Sequence, residues 1–280
     1  MYKILEKQDL ANNITRMVVD APLIAKKAQS GQFVVLRTHE KGERFPLTIA
    51  EYDRQAGTIT IIFAQIGKST QYLGTFQQGD EILDVVGPLG VASHFDKSIK
   101  KAAVVGGGLG CAIALPQAKH LKEMGVSVDM IAGFKTKDII ILEDKMTAAC
   151  DHLYITTDDG SYGIHGFVTQ ALKDLIDSGI KYDIVVAIGP IPMMKFVSKL
   201  TKEYGIKTLV SMNPVMIDGT GMCGGCRLTV GGQTKFACID GPDFDGHEVD
   251  FDEAMRRLSM YDGLKERSED CRLIKQAEGK

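Results

Sequence analysis

Up to about residue 96 the apolar positions come in short runs. Met17-Val18-Val19, Phe33-Val34-Val35-Leu36, Thr58-Ile59-Thr60-Ile61-Ile62-Phe63 and Glu81-Ile82-Leu83-Asp84-Val85-Val86 are rich in β-branched residues and punctuated by Gly, Asn and Asp. About six such strands predict a small closed antiparallel barrel over residues 1–96, interrupted by one helix starting near Ser69. From residue 101 the period changes. Ala102–Val105 reads as a buried strand followed by a glycine turn, Ala112–Met124 as a helix and Val126–Ala132 as the next strand. Further strands are expected at Leu153–Thr156, Ile184–Ile188 and Thr208–Ser211, with helices at about 166–178 and 190–203. Strands alternating with helices predict a doubly wound parallel sheet over residues 97–212. Gly87-Pro88-Leu89-Gly90 reads as the hinge between the two halves.

After Pro214 the regularity stops. Residues 213–246 hold glycines, acids and three cysteines with little to pack, and such a segment needs a covalent or metal staple. Residues 247–280 form an extension, in which 250–275 reads as a charged helix with apolar Met255, Leu258, Met260, Tyr261 and Leu264.

Composition narrows the class. With 280 residues, 44% of them hydrophobic and 25% charged, the chain can bury a real core in two or three domains. A net charge of −3 gives no electrostatic case for nucleic acid. The first residues carry no apolar core with a cleavage site, and no apolar stretch reaches the length of a membrane span, so a cytoplasmic protein is expected. Of six cysteines, Cys223, Cys226 and Cys238 lie together. Clustered cysteines in such a chain read as metal-binding or catalytic rather than as a disulfide framework. Cys111, Cys150 and Cys271 stand singly and read as ordinary thiols.

The sharpest signal is Asp218-Gly219-Thr220-Gly221-Met222-Cys223-Gly224-Gly225-Cys226 followed by Cys238. Plant-type [2Fe–2S] loops have the spacing C-x4-C-x2-C and then a distant cysteine. This chain has D-x4-C-x2-C-x11-C. Soft thiolates suit iron, and glycines let the loop wrap closely and aim amides at the sulfides. A zinc site and a redox C-x-x-C pair are the alternatives. Glycines around every ligand argue against zinc, and the lack of a strand before and a helix after Cys223 and Cys226 argues against the redox pair. In this register Asp218 takes the place of a first cysteine, as an iron ligand or as a plain loop aspartate.

Val104-Val105-Gly106-Gly107-Gly108-Leu109-Gly110-Cys111 is a strand, a glycine turn and a helix start, a moderate signal for a dinucleotide pyrophosphate through Gly106, Gly107, Gly108 and Gly110. Asp158, Asp159 and Gly160 end another parallel strand, and Gly189, Pro190 and Met193 a third, where doubly wound sheets bind ligands. Lys135 and Lys137 follow the second strand, so NADP(H) stays open beside NAD(H). In the barrel half, Glu43-Arg44-Phe45-Pro46-Leu47-Thr48 joins a cation, a rigid proline and a hydroxyl on a strand. Arg44 can pair a flavin pyrophosphate, and Thr48 can hydrogen-bond near the flavin N5. Gly67-Lys68-Ser69-Thr70 opens a helix whose amides suit a phosphate.

Barrel, nucleotide domain with G-P-I-P-M-M and cysteine loop, in that order, resemble the ferredoxin–NADP reductase superfamily. Glu43–Ala50, the glycine run 106–110, Thr157–Ser161 and Asp218–Cys226 carry a closer similarity. It is to the small subunits of NADH-dependent reduced ferredoxin:NADP oxidoreductases and sulfide dehydrogenases, near the electron-transfer subunits of dihydroorotate dehydrogenase. The resemblance implies FAD, a [2Fe–2S] cluster on Asp218, Cys223, Cys226 and Cys238, and NAD(H). It also implies a larger iron–sulfur flavoprotein partner, with ferredoxin served through the complex by flavin-based electron bifurcation. The superfamily's flavin motif is R-x-Y-S/T; counting back from Thr48 puts Phe45, not Arg44, in the arginine's place. The extension is expected to dock on the partner. The rivals are a dihydroorotate dehydrogenase or sulfide dehydrogenase subunit and a zinc-stapled regulatory module.

Overall fold

The computed structural model describes residues 1–260. The barrel half contains β1 (Tyr2–Ala11), β2 (Ile14–Asp20), α1 (Pro22–Lys27), β3 (Phe33–Arg37), β4 (Phe45–Asp53), β5 (Thr58–Ala64), α2 (Lys68–Thr75), β6 (Glu81–Ile82) and β7 (Asp84–Leu89). Its seven strands are antiparallel in the order β6-β1-β2-β5-β4-β3-β7. The two outer strands, β6 and β7, are separated in sequence by Leu83 alone, so the sheet curls into a nearly closed ring. Strand alternation sends Ile4, Met17, Val19, Val34, Leu36, Ile59, Ile61 and Phe63 inward, where Ile24 and Ala25 of α1 join them. The expected strand 81–86 is thus two strands, and Gly87-Pro88 lies inside β7 rather than at a hinge.

The second half runs β8 (Lys101–Gly107), α3 (Gly110–Glu123), β9 (Ser127–Phe134), α4 (Glu143–Ala149), β10 (His152–Thr157), β11 (Ile164–His165), α5 (Val168–Asp177), β12 (Ile184–Ile188), α6 (Ile191–Glu203) and β13 (Lys207–Ser211). Beyond it lie β14 (Arg227–Val230), β15 (Gln233–Phe236), β16 (Asp243–Asp245) and α7 (Phe251–Ser259). The sheet order is β11-β10-β9-β8-β12-β13-β16, parallel throughout except for β16. Both faces are covered, as an all-parallel sheet requires. Ala102 and Val104 face α3, which also packs on Ala50 and Ile62 of the barrel; Ala103 and Val105 face α5 and α6. Glu51 on β4 pins this junction, pairing with Lys119 of α3 at 2.6 Å and Lys145 of α4 at 2.5 Å.

The cysteine segment is no separate body. β16 joins the edge of the nucleotide sheet, and Cys226, Leu228, Ala237 and Cys238 share one core with Phe33 and Val35 of the barrel. β14 and β15 form a hairpin turned by Gly231 and Gly232, both at positive φ, as a two-residue turn demands. Asp250 caps α7 by accepting from the Glu253 N–H at 2.8 Å. The described part of the predicted C-terminal helix packs on its own chain: Lys195 of α6 pairs with Asp252, and Arg257 donates to the Gly225 carbonyl at 3.2 Å. The rest of that helix, Tyr261 and Leu264 included, and Cys271 lie outside the described residues. Among the described residues no helix is long and apolar enough to cross a membrane.

Candidate functional site

β8 and β12 are neighbours from which the chain departs in opposite directions, the switch point where doubly wound sheets bind ligands. Their C-terminal turns touch. A Cβ on Gly107 would stand 2.6 Å from Met193 Sδ, on Gly189 3.1 Å from Gly107 N, on Gly110 2.3 Å from the Ile188 carbonyl, and on Gly106 2.8 Å from Cys111 Cα. These glycines are therefore demanded by packing within the protein. Gly108 differs: its φ is +55° and nothing stands within 4 Å of a Cβ there, so it alone of the run faces open space.

That space is a cavity of about 610 Å³ lined by Gly107, Gly108, Lys135, Thr156, Asp158 and Met193 among others. The Thr156 hydroxyl is buried there with no hydrogen-bond partner, an unmet polar group of the kind a ligand satisfies. Phe167 and Phe196, exposed at 66% and 59%, stand on the same cavity. Sequence reading passed over both; the readable signal was an aromatic just before α5 and another in the second turn of α6. Pro190 also lines the cleft, whereas Asp159 and Gly160 do not. The Asp159 carboxylate accepts from the Ser161 N–H and hydroxyl, bonds that hold it below the usual carboxylate range and close its own turn. Lys137 is turned away, its ammonium 5.6 Å from the Tyr162 ring.

On the barrel, the partly buried side chains of Phe45 and Leu47 pack against the barrel core. Phe45, in the arginine's place of the flavin motif, is partly buried and also borders the cavity that Arg44 lines. Thr48 lies opposite Phe33, partly buried. At the start of α2 the Thr70 hydroxyl accepts from the Gly67 N–H at 3.1 Å, and the Ser69 hydroxyl donates to Glu43 Oε2 at 3.0 Å. The Glu43 carboxylate thus stands beside the start of α2, on the side chain of Ser69. Exposed Arg44 is its neighbour in sequence, and Lys68 is tied to a partner of its own.

The cysteine loop lies against this region. A cavity of about 970 Å³ is lined by Arg44, Phe45 and Pro46 on one side and by Met216, Asp218 and Thr220 on the other. Gly219, with φ +73°, is pressed on the barrel: a Cβ would stand 2.7 Å from Val35 Cγ2 and 3.2 Å from Leu89 Cδ1. Asp218 accepts from the Thr220 N–H at 2.9 Å and the Cys223 N–H at 2.8 Å, bonds that hold its carboxyl low. Cys226 and Cys238 are buried in mutual contact, and burial with the neighbouring thiol pushes Cys238 up to about 12. The Gly225 N–H donates to Cys223 Sγ at 3.4 Å.

The four ligand candidates therefore stand as two pairs, Asp218 with Cys223 and Cys226 with Cys238. Among the described residues no three converge as a single metal ion requires. In a two-iron rhomb each iron takes two protein ligands, and two adjoining pairs fit that chemistry better than zinc. Buried thiols raised by burial and by each other need a metal to lose their protons. Cys111 and Cys150 are buried elsewhere, their thiols raised by burial to about 12 and about 11, and read as inert.

A profile for the iron–sulfur cluster binding domain of dihydroorotate dehydrogenase B matches residues 213–250. The chain is 46% identical over 261 residues to a dihydroorotate dehydrogenase B (NAD(+)) electron transfer subunit homolog of Thermotoga maritima, covering 93% of this chain and 92% of that one. The chain belongs to this family of electron-transfer subunits. A Geobacillus thermodenitrificans electron transfer subunit of the family is 34% identical, with 88% and 96% covered. A chain from the solved structure of an NADH-dependent reduced ferredoxin-NADP oxidoreductase superposes with a TM-score of 0.92 and 43% identity, over 96% of this chain and 97% of that one. A Neisseria gonorrhoeae ferredoxin NADP+ reductase, at 19% identity and TM-score 0.59 over 73% and 90%, shares the fold alone. Family membership makes the chain an oxidoreductase subunit with an iron–sulfur domain.

Proposed function

We propose that the chain moves electrons between NAD(H), FAD and a [2Fe–2S] cluster within a flavin-based electron-bifurcating complex. The observation that carries this is the pressing of the cysteine loop onto the barrel beside the flavin-motif strand, where Arg44–Pro46 and Asp218–Thr220 share one cavity. A flavin accepts hydride and passes electrons singly, which is what joins a two-electron nucleotide to a one-electron cluster. Gly108, Thr156, Asp158, Pro190 and Met193 hold the nucleotide; a carboxylate in the cleft suits a ribose hydroxyl and repels a 2′-phosphate, which favours NAD(H) over NADP(H). Arg44, Thr48 and the turn Gly67–Thr70 hold FAD. Asp218, Cys223, Cys226 and Cys238 hold the cluster.

The partner is a larger iron–sulfur flavoprotein subunit that meets NADP(H) and ferredoxin. The likeness to the bifurcating oxidoreductase over nearly the whole of both chains supports this. A cytoplasmic place agrees with free thiols at Cys223, Cys226 and Cys238. Service to a dihydroorotate dehydrogenase is the second reading, favoured by the family's name; Asp218 in place of a fourth cysteine weighs against it.

The test is anaerobic reduction of the purified complex by NADH. Flavin bleaching followed by the EPR signal of a reduced [2Fe–2S] cluster is expected; in a separate assay with NADPH as donor, ferredoxin is expected to be reduced only when NAD+ is present to take the other electrons. Bleaching with no cluster signal contradicts the electron path, and activity with dihydroorotate alone moves the chain to the second reading.

A further inference from the structure

The stem that follows Cys238 is fastened to the rest of the protein at a buried polar node. Asp243 opens β16, and its Oδ2 accepts from Ser93 Oγ at 2.5 Å and from Gln117 Nε2 at 3.2 Å. Gln117 also donates to Ser93 Oγ. Ser93 belongs to the segment leaving the barrel, Gln117 to α3 and Asp243 to the cysteine segment, so three side chains join all three parts of the fold. Gly31 of the barrel closes over them: a Cβ there would stand 2.1 Å from Ser93 Oγ. Beside the node, the Val91 N–H donates to the Gly241 carbonyl at 2.7 Å. The cysteine segment thus touches the barrel at two places, its ligand loop at Gly219 and its stem at residues 241–243.

The node holds no cation. Among the described residues no ion pair reaches Asp243, and the side chains around it, Ser93, Gln117 and Ser211, are neutral. Asp243 Oδ1 and Gln117 Oε1 are both buried acceptors without a partner. An ionised carboxylate leaves the node short of a donor, whereas a proton on the carboxyl supplies one. Burial drives the carboxyl upward in the same sense, outweighing the hydrogen bonds from Ser93, Ser211 and Gln117 that favour its charged form.

We infer that Asp243 is a positioning residue: a neutral carboxylic acid that locks the cysteine stem to the barrel and to α3, fixing the spacing an electron crosses between the flavin face and the cluster. The inference rests on the electron-transfer reading above, and its test separates the two.

In the holoprotein, Asp243→Asn, Asp243→Ala and Ser93→Ala are compared with wild type by three measurements. These are stopped-flow flavin bleaching by NADH, freeze-quench EPR of cluster reduction, and amide hydrogen exchange at Val91 and Ser93. Asn, neutral and of the same shape, is expected to match wild type within about twofold in all three. Asp243→Ala is expected to leave bleaching within about twofold, slow cluster reduction about tenfold or more and raise exchange at both amides about tenfold. Ser93→Ala, a milder change, shows the same split in smaller measure and serves if Asp243→Ala does not fold. Cluster reduction and exchange unchanged in Asp243→Ala, or in Ser93→Ala where it stands in, overturn the lock. Asn as damaging as Ala overturns its neutral character. If NADH bleaches no flavin even in wild type, the functional reading fails, while exchange still decides the lock.

Discussion

Gly219→Ala tests the contact that brings the cysteine loop to the barrel. Two costs are expected. The first is left-handed strain at φ +73°, about 1–2 kcal/mol for a residue with a Cβ. The second is the clash of that Cβ with Val35 Cγ2 at 2.7 Å and Leu89 Cδ1 at 3.2 Å, an overpacking of about 1–3 kcal/mol. Gly205→Ala isolates the first, since Gly205 has φ +66° and nothing within 4 Å of a Cβ. The difference, about 1–3 kcal/mol, corresponds to a melting midpoint about 2–10 °C lower for Gly219→Ala than for Gly205→Ala at domain scale. Adding Val35→Ala should then cost less in the Gly219→Ala background than in wild type, because it removes the clashing methyl. Differential scanning calorimetry on wild type and the four variants reads all of this. Equal midpoints for the two glycine variants, or strict additivity with Val35→Ala, refute the packing of the loop on the barrel.

Asp158→Asn should raise the NADPH-to-NADH ratio of kcat/KM about tenfold by removing a charge that repels the 2′-phosphate; an unchanged ratio in steady-state reduction assays removes Asp158 from specificity. Burial works to raise the Glu51 carboxyl, but hydrogen bonds and charge from Lys119 and Lys145 outweigh it and leave Glu51 below its ordinary value. A depressed folded pKa stabilises above the unfolded value, near 4.5, and the gain is lost as pH falls through the folded one. Glu51→Gln should therefore lower stability at neutral pH and flatten its acid limb below about pH 5, read by thermal melts across pH. Phe196→Ala should raise KM for NADH with little effect on cluster content, read by iron assay beside kinetics.

The two halves were legible because their periods differ: runs such as Thr58–Phe63 alternate by two, and the glycine turn after Val105 separates strand from helix. The Gly231-Gly232 pair was a readable hairpin signal inside a stretch that seemed structureless. Other features depend on contacts that a linear reading does not contain. The glycines at 106, 107 and 110 answer to Cys111, Met193 and Ile188, two of them from another turn. The node at Asp243 joins residues about 150 positions apart, and no local pattern marks it. The spacing of Asp218, Cys223, Cys226 and Cys238 marked the candidate ligands, but only the fold shows them standing as two pairs.

Iron, acid-labile sulfide and flavin assayed on anaerobically purified protein test the central claim most directly. The account predicts iron and sulfide in equal amounts at the two-iron stoichiometry, together with FAD. One zinc per chain with neither sulfide nor flavin absorbance contradicts it.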